Sequence, residues 1–552
     1  MTMRRLIFCY TATACLVTSI SFSSARDSSM SSETKDAFSV LDTPAGKLVG
    51  KFNGKLHTFK GIPYAAAPTG KLRWKPPVAL PKWQGTRQAT DFGPSCIQPV
   101  TKVPNIYTSD ITPTSEDCLN LNVWVPANSA GAPVFVWIHG GALLKGSSKE
   151  PMYDGARLAQ QGIIVVSINY RMGVLGYLAH PGLSAESADG VSGNYGLLDQ
   201  IAALQWVKNN IAAFGGDPDN VTIAGESAGG LSVMYLMASP KARGLFSKAI
   251  AQSAYMISTP SLKEKKFGEK PSQEIGALLG AALHARDISD LRKADAQELT
   301  ESAAALGFPP FATIDGHVLT AQLVETFERG EQSPVPLLVG FNSGEIRSLK
   351  MLAPPPAATA EKYEAEIRTR YGDLANEYLR LYPSAQMQES IYANTRDALY
   401  GWTAERLARN QTAIGQNSYL YLFDHGTPEM ETAGLHAFHA SEIPYMFGNA
   451  DRIPALWPAM PTTENETQLT NAMMAYWASF ARSGKPEATG AAAWPAYGKT
   501  AAYMIFGDAP KASEKLFPGM FELHEEAVRR RRASGELPWN WNTGLVSPLL
   551  TK

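Results

Sequence analysis
The chain has 552 residues, of which 45% are hydrophobic, so it is long enough to bury a large core. Lysine and arginine total 50 against 51 aspartate and glutamate, a formal net charge of −1. That balance excludes a function built on a polyanion: nothing here recommends nucleic acid or an anionic membrane as a partner.

The N-terminus has the organisation of a secretory signal. Arg4 and Arg5 form its charged start, Leu6 to Ile20 its apolar stretch, and Ser23-Ser-Ala25 a small-residue cleavage site. The apolar stretch is diluted by threonines and short for a span, so residues 1–25 read as a cleaved leader. The chain is then secreted or periplasmic, with no stable membrane insertion after cleavage. A retained anchor and a lipid on Cys15 are the alternatives. Residues 26–35 are polar and serine-rich, and read as disordered. Residues 36–552 contain no linker long enough to split them and read as a single domain. Cys9 and Cys15 fall in the leader, leaving Cys96 and Cys118 in the mature chain. In an exported protein two cysteines most simply form one disulfide; two buried thiols are the alternative.

From there β-type and helix-type runs alternate. Val134 to Ile138 is a continuous apolar strand, followed by His139-Gly-Gly-Ala142. Gly162 to Asn169 is a second strand, and Leu197 to Phe214 has helical spacing. Val221 to Ala224 is a third strand. It leads into Gly225-Glu-Ser227-Ala-Gly229, after which Leu231 to Ala238 is helix-competent. Leu337 to Asn342 and Ser418 to Asp424 are further strands, while Ala360 to Leu381 and Glu464 to Ser483 are helical. The Pro/Ala stretch from Ala353 to Ala360 reads as a loop at the edge of a helical insertion. Strands apolar on both faces suit a large, mostly parallel sheet covered by helices, an α/β architecture with helical excursions.

The chemistry gathers at the strand ends. A serine at a strand-to-helix bend of the Gly-x-Ser-x-Gly type is held with its hydroxyl exposed. The free N–H groups of the following helix point at the place where acyl transfer develops negative charge. The alternative is a turn whose serine only caps the helix. A nucleophilic serine also needs a base, an acid to orient that base, and an oxyanion hole. The loop Gly140, Gly141, Ala142 is of the type that supplies hole donors, and the Ala228 N–H follows the nucleophile. Glu345 stands just past a strand end and can orient the base. His436 and His439 compete for the base, and spacing alone does not separate them. His139 lies in the hole loop and reads as structural. The order Ser…Glu…His is that of α/β-hydrolases. The two neighbouring histidines raise the question of a metal, but no third ligand cluster and no His-Glu-x-x-His accompany them, so no metal or other cofactor is expected.

At this point the chain resembles the type-B carboxylesterases, the group that includes the cholinesterases, over nearly the whole mature sequence. The motifs are Gly61-Ile-Pro-Tyr-Ala, Leu72-Arg-Trp, Ser115-Glu-Asp-Cys118-Leu-Asn-Leu-Asn-Val-Trp124, Gly193-Asn-Tyr-Gly-Leu-Leu-Asp-Gln200 and the run Phe214 to Gly230. The resemblance implies an α/β-hydrolase fold with helical insertions around the active site. It implies a serine carboxylic-ester hydrolase working through an acyl-enzyme on a small-molecule ester. It selects His439, three residues before Glu442 and ahead of Phe447-Gly448, as the base with Ser227 and Glu345. It implies a Cys96–Cys118 disulfide and structural ion pairs Arg73–Glu116 and Arg171–Asp199. It also places Glu226, Glu442 and Ser253 around the triad.

The sequence departs from the family where Leu143-Leu-Lys145 follows the hole loop in place of an aromatic. Leu143 and Lys145 are read as substrate contacts, Lys145 as a cation for an anionic group on the substrate; the alternative is a solvated lysine at the rim. With no cysteines beyond the first pair, the chain resembles bacterial-type exported members. The competing functions are a non-catalytic adhesion or binding protein and a lipase or amidase of the same fold. The first is opposed by the intact Ser227, Glu345 and His439. No oligomeric state is legible.

Overall fold
A computed structural model describes residues 37–550. The expected leader and the polar segment after it lie outside the described residues. Thirteen strands form one sheet. In chain order they are β1 (Ala37–Thr43), β2 (Gly46–Phe52), β3 (Leu56–Pro63), β4 (Thr86–Gln88), β5 (Asn120–Pro126), β6 (Ala132–Ile138), β7 (Ile164–Ile168), β8 (Gly216–Glu226), β9 (Lys248–Gln252), β10 (Leu337–Asn342), β11 (Ser418–Phe423), β12 (Ala502–Phe506) and β13 (Pro510–Glu514). Their order across the sheet is β1-β2-β3-β5-β7-β6-β8-β9-β10-β11-β12-β13, with β4 beside β2. Every pairing from β7 to β12 is parallel. The flanks, β1-β2-β3-β5-β7 on one side and β12-β13 on the other, are antiparallel. The mostly parallel sheet expected from the sequence is therefore its centre.

The apolar runs are explained by burial on both faces. In β6, Val134, Val136 and Ile138 join one core cluster while Phe135 and Trp137 join the other. A strand covered on both sides has no polar face to alternate with. Helices α1 (Tyr195–Asn210) and α2 (Ala228–Ala238) cover the first face. Helix α3 (Glu464–Ser483) and the short helix Ile443–Phe447 cover the second, where Phe447 packs edge-on against Trp137 with centroids 5.1 Å apart.

The expected helix from Leu197 to Phe214 divides. Its α part ends at Asn210, and Ile211–Phe214 tightens into a 3-10 turn closed by Gly215 in the left-handed region. The run Ala360 to Leu381 breaks after Tyr371 because Gly372 has φ 56°. Thr359 starts that helix by accepting the Lys362 N–H, which bounds the Pro/Ala loop before it. The ion pairs Arg73–Glu116 and Arg171–Asp199 are present at 2.7 and 2.8 Å, and Cys96 is bonded to Cys118. Among the described residues no helix is long and apolar enough to cross a membrane.

What the sheet does for function is bring chain ends together. His139, Ser227, Ser253, Glu345 and the segment leading to His439 follow the carboxyl ends of β6, β8, β9, β10 and β11 in turn. That edge of an open parallel sheet is where ligands bind in α/β proteins.

Candidate active site
The turn from β8 to α2 is made by crowding. A Cβ on Gly229 would lie 2.1 Å from the Ile138 carbonyl oxygen, and one on Gly225 would lie 2.5 Å from the Gly229 backbone. Only glycines let strand, turn and helix close this tightly. The strain falls on Ser227, a non-glycine residue at φ 56° and ψ −121°. Its N–H donates to the Gln252 carbonyl at 2.9 Å and its carbonyl accepts from Leu231, also at 2.9 Å, so the backbone is pinned at both ends. In the run Val221 to Ser239, Ser227 alone is not buried.

The loop after β6 lies against this turn. A Cβ on Gly140 would come within 2.8 Å of the Glu226 carbonyl oxygen and 3.2 Å of Ser227 Cβ. Gly141 and Ala142 are exposed and have φ of 99° and 57°. Among the described residues the N–H groups of Gly140, Gly141, Ala142 and Ala228 have no protein acceptor. Four unpaired donors on the two segments that meet at Ser227, itself only partly exposed, can hold an anionic oxygen. His139 lies beneath the loop, stacked on Tyr170 at 4.6 Å, with Nδ1 against the Gly140 carbonyl. Burial pushes it down to about 4, so it is a neutral packing residue. Positive φ at Ala142 and Leu143 turns the chain so that the Leu143 side chain, expected at the substrate, enters the core with no exposed surface. Lys145 is half-buried; its N–H donates to Gly141 O and its ammonium to Thr101 Oγ1, both at 2.9 Å.

His439 is gripped from two sides. Its Nδ1 pairs with Glu345 Oε2, and its Nε2 lies 3.1 Å from Glu226 Oε1. Glu345 is fully buried, and its other oxygen accepts the Asn342 N–H at 2.8 Å. Glu442 is also fully buried and accepts from Gln252 Nε2 at 2.9 Å and Asn342 Nδ2 at 2.7 Å. Burial raises Glu226 to about 8, with Glu442 and Glu345 adding to the rise. Burial opposes charge on His439, but Glu226 and Glu345 outweigh it and lift the imidazole to about 9. The two rises are coupled: once Glu226 holds a proton, one of the charges that lifts His439 is gone. Ser253 is buried beyond Gln252 at φ 44°, and its Oγ has no partner among the described residues.

His436, the competing histidine, is turned elsewhere. Its ring nitrogens meet Asp424 Oδ1 at 3.0 Å and Glu431 Oε1, so the two histidines do not share a site. Sequence reasoning missed Tyr107, which donates to the His439 carbonyl at 3.0 Å and meets Ser348 Oγ at 2.7 Å. It also missed Asn342 and Gln252. Nothing local marks Tyr107; Asn342 and Gln252 could have been sought as polar residues ending apolar strands.

The model of the carboxylesterase family matches residues 37–521. A fumonisin B1 esterase of Sphingopyxis macrogoltabida is 37% identical over 507 residues, 88% of this chain and 90% of that protein. A para-nitrobenzyl esterase of Bacillus subtilis is 38% identical over 469 residues, covering 83% and 92% of the two chains. The crystal structure of a carboxylesterase from Geobacillus stearothermophilus is similar with a TM-score of 0.75 at 35% identity, over 88% of this chain and 99% of that one.

Proposed function
The chain belongs to the carboxylesterase family, an α/β-hydrolase, and on that premise we propose that it hydrolyses small-molecule carboxylic esters through an acyl-enzyme on Ser227. The observation that carries the reading is the strained, partly exposed Ser227 at the end of β8, with Glu345 holding His439 at the same edge of the sheet. His439 takes the Ser227 proton as the hydroxyl oxygen attacks the ester carbonyl, then returns it to the departing alcohol. A water molecule, activated by the same imidazole, cleaves the acyl-enzyme. Glu345 fixes the ring with Nδ1 protonated, which leaves Nε2 as the base, and it stabilises the imidazolium. The N–H groups of Gly140, Gly141, Ala142 and Ala228 stabilise the tetrahedral oxyanion. Among the described residues Ser227 Oγ makes no hydrogen bond to His439; such contacts close when substrate binds. Glu226, Glu442 and Ser253 set the electrostatics around the base.

Lys145 supports a finer reading: it sits on the hole loop with no carboxylate within ion-pair distance among the described residues, so its charge is available to an anionic group beside the ester. The N-terminal leader and the Cys96–Cys118 disulfide support export to an oxidising compartment, with residues 36–552 as one hydrolase domain. Turnover of p-nitrophenyl esters by the wild type and by Ser227→Ala tests the reading.

A further inference from the structure
We propose that His436 is a positioning residue that, as an imidazolium, clasps the segment carrying His439 into its working place. The inference rests on His439 being the base, and it concerns a histidine outside the site.

The geometry requires a cation. Both ring nitrogens of His436 face carboxylate oxygens, Nε2 at 3.0 Å from Asp424 Oδ1 and Nδ1 against Glu431 Oε1. A neutral imidazole has one N–H and satisfies one of them; only the protonated ring donates to both. The surroundings are shaped for this pair. A Cβ on Gly426 would lie 2.2 Å from Glu431 Oε1 and 2.8 Å from His436 Nδ1, so a glycine at 426 leaves the space that the contact occupies. His436 also adopts φ 49°, a costly backbone state for a non-glycine residue that some other contact must hold.

The clasp is linked to His439 by two residues, Ala437 and Phe438. The Ala437 carbonyl accepts the Gly344 N–H at 2.8 Å, and the Phe438 carbonyl accepts Asn342 Nδ2 at 2.8 Å. Asn342 and Gly344 belong to the turn that carries Glu345. His436 therefore anchors the near end of the segment on Asp424, just past β11, and on Glu431 in the helix Pro428–Thr432. The far end presents the imidazole to Glu345. Releasing the anchor lets the His439 ring move relative to its partner.

The other charged groups facing His436 are Arg347, Arg396 and Glu389, which line the same cleft of about 200 Å³ with Tyr392. Arg347 is paired with Glu389 at 2.6 Å and Arg396 with Asp397 at 2.7 Å. Arg396 also acts on Asp424 at longer range, while His436 is the cation within ion-pair distance of both Asp424 and Glu431 among the described residues. These two carboxylates outweigh burial and raise His436 to about 8. A raised histidine gives its full contribution below the unfolded value of about 6.5, and the contribution is lost as pH rises through the folded value. The clasp therefore opens on the alkaline side.

The test compares kcat and KM across pH for the wild type, His436→Gln, His436→Lys and Glu431→Gln. His436→Gln is expected to lower kcat about tenfold with KM little changed, since small displacements of a catalytic group are costly. His436→Lys keeps the charge, recovers most of kcat and removes the alkaline fall near pH 8. Glu431→Gln removes a half-exposed carboxylate without threatening the fold and moves that fall to lower pH. A kcat profile unchanged in Glu431→Gln, or an alkaline fall kept in His436→Lys, overturns the proposal even if His436→Gln does not fold. Full activity in His439→Ala would instead remove the reading of the site on which the proposal rests.

Discussion
Nε2 of His439 lies 3.1 Å from Glu226 Oε1, so the nitrogen proposed to deprotonate Ser227 rests against the carboxyl group of the residue before it. Glu226 is fixed there by β8 and by the contact of its backbone with Gly140. When ionised it supports an imidazolium and penalises a neutral base. In Glu226→Gln, loss of that support slows kcat about tenfold, the equivalent of roughly 1.4 kcal/mol. The acid limb of the kcat/KM profile, where His439 loses its proton, moves to lower pH by about one unit, because a carboxylate that raises the imidazole is gone. Wild-type kcat and an unmoved acid limb, measured with a neutral ester, would show Glu226 to be only part of the turn.

Glu345 has a sharper role, because it decides which nitrogen of His439 carries the proton. Glu345→Gln removes the charge and permits the wrong tautomer. We expect kcat to fall by roughly 10³–10⁴-fold with KM nearly unchanged. A loss confined to KM would indicate that Glu345 acts on substrate binding.

Lys145 is held at Thr101 beside the hole loop. Lys145→Ala is expected to lower kcat/KM several-fold, roughly in line with about 1 kcal/mol for a partly solvated charge contact, for esters bearing a carboxylate and to spare neutral ones. Rates on matched pairs of neutral and anionic esters check this. An unchanged ratio returns Lys145 to the solvated rim.

The Cys96–Cys118 bond spans a sequence separation of 22 residues and closes the loop that carries Thr101 and Tyr107 to the site. Breaking it by Cys96→Ser with Cys118→Ser costs about 3 kcal/mol on the chain-entropy account. Denaturant unfolding should show the loss. Activity should fall as well, because Tyr107 donates to the His439 carbonyl.

Much of this arrangement was legible in the sequence, for reasons particular residues show. The strand Leu337–Asn342 and the helix Glu464–Ser483 have the bounds read from pattern alone, because one is an apolar run closed by Asn342 and the other is bounded by a capping Thr463 and a terminal Gly484. The strand Lys248–Gln252 escaped notice, since Lys-Ala-Ile-Ala-Gln has no β-branched run; it is a strand because neighbours on both sides bury it. The antiparallel strands at the N-terminal edge escaped because they are not buried on both faces and so lack a continuous apolar run; Phe38 and Val40 of the first are themselves exposed. At the site, the proposed nucleophile, acid and base each follow a strand and carry a motif. The burial of Leu143 was not legible because the positive φ that turns it inward has no signature in its residue type. The partners of His436 were invisible, since Asp424 and Glu431 meet it only when the chain folds back after β11.

Acylation of Ser227, made nucleophilic by His439, is the step on which the proposed function depends. A pre-steady-state assay with a p-nitrophenyl ester, followed by mass analysis of the quenched protein, tests it most directly. A burst of nitrophenol matched by an acyl adduct on Ser227 is expected, with both lost in Ser227→Ala and the burst slowed by orders of magnitude in His439→Ala. Turnover at the wild-type rate in Ser227→Ala, or an adduct on another residue, would contradict it.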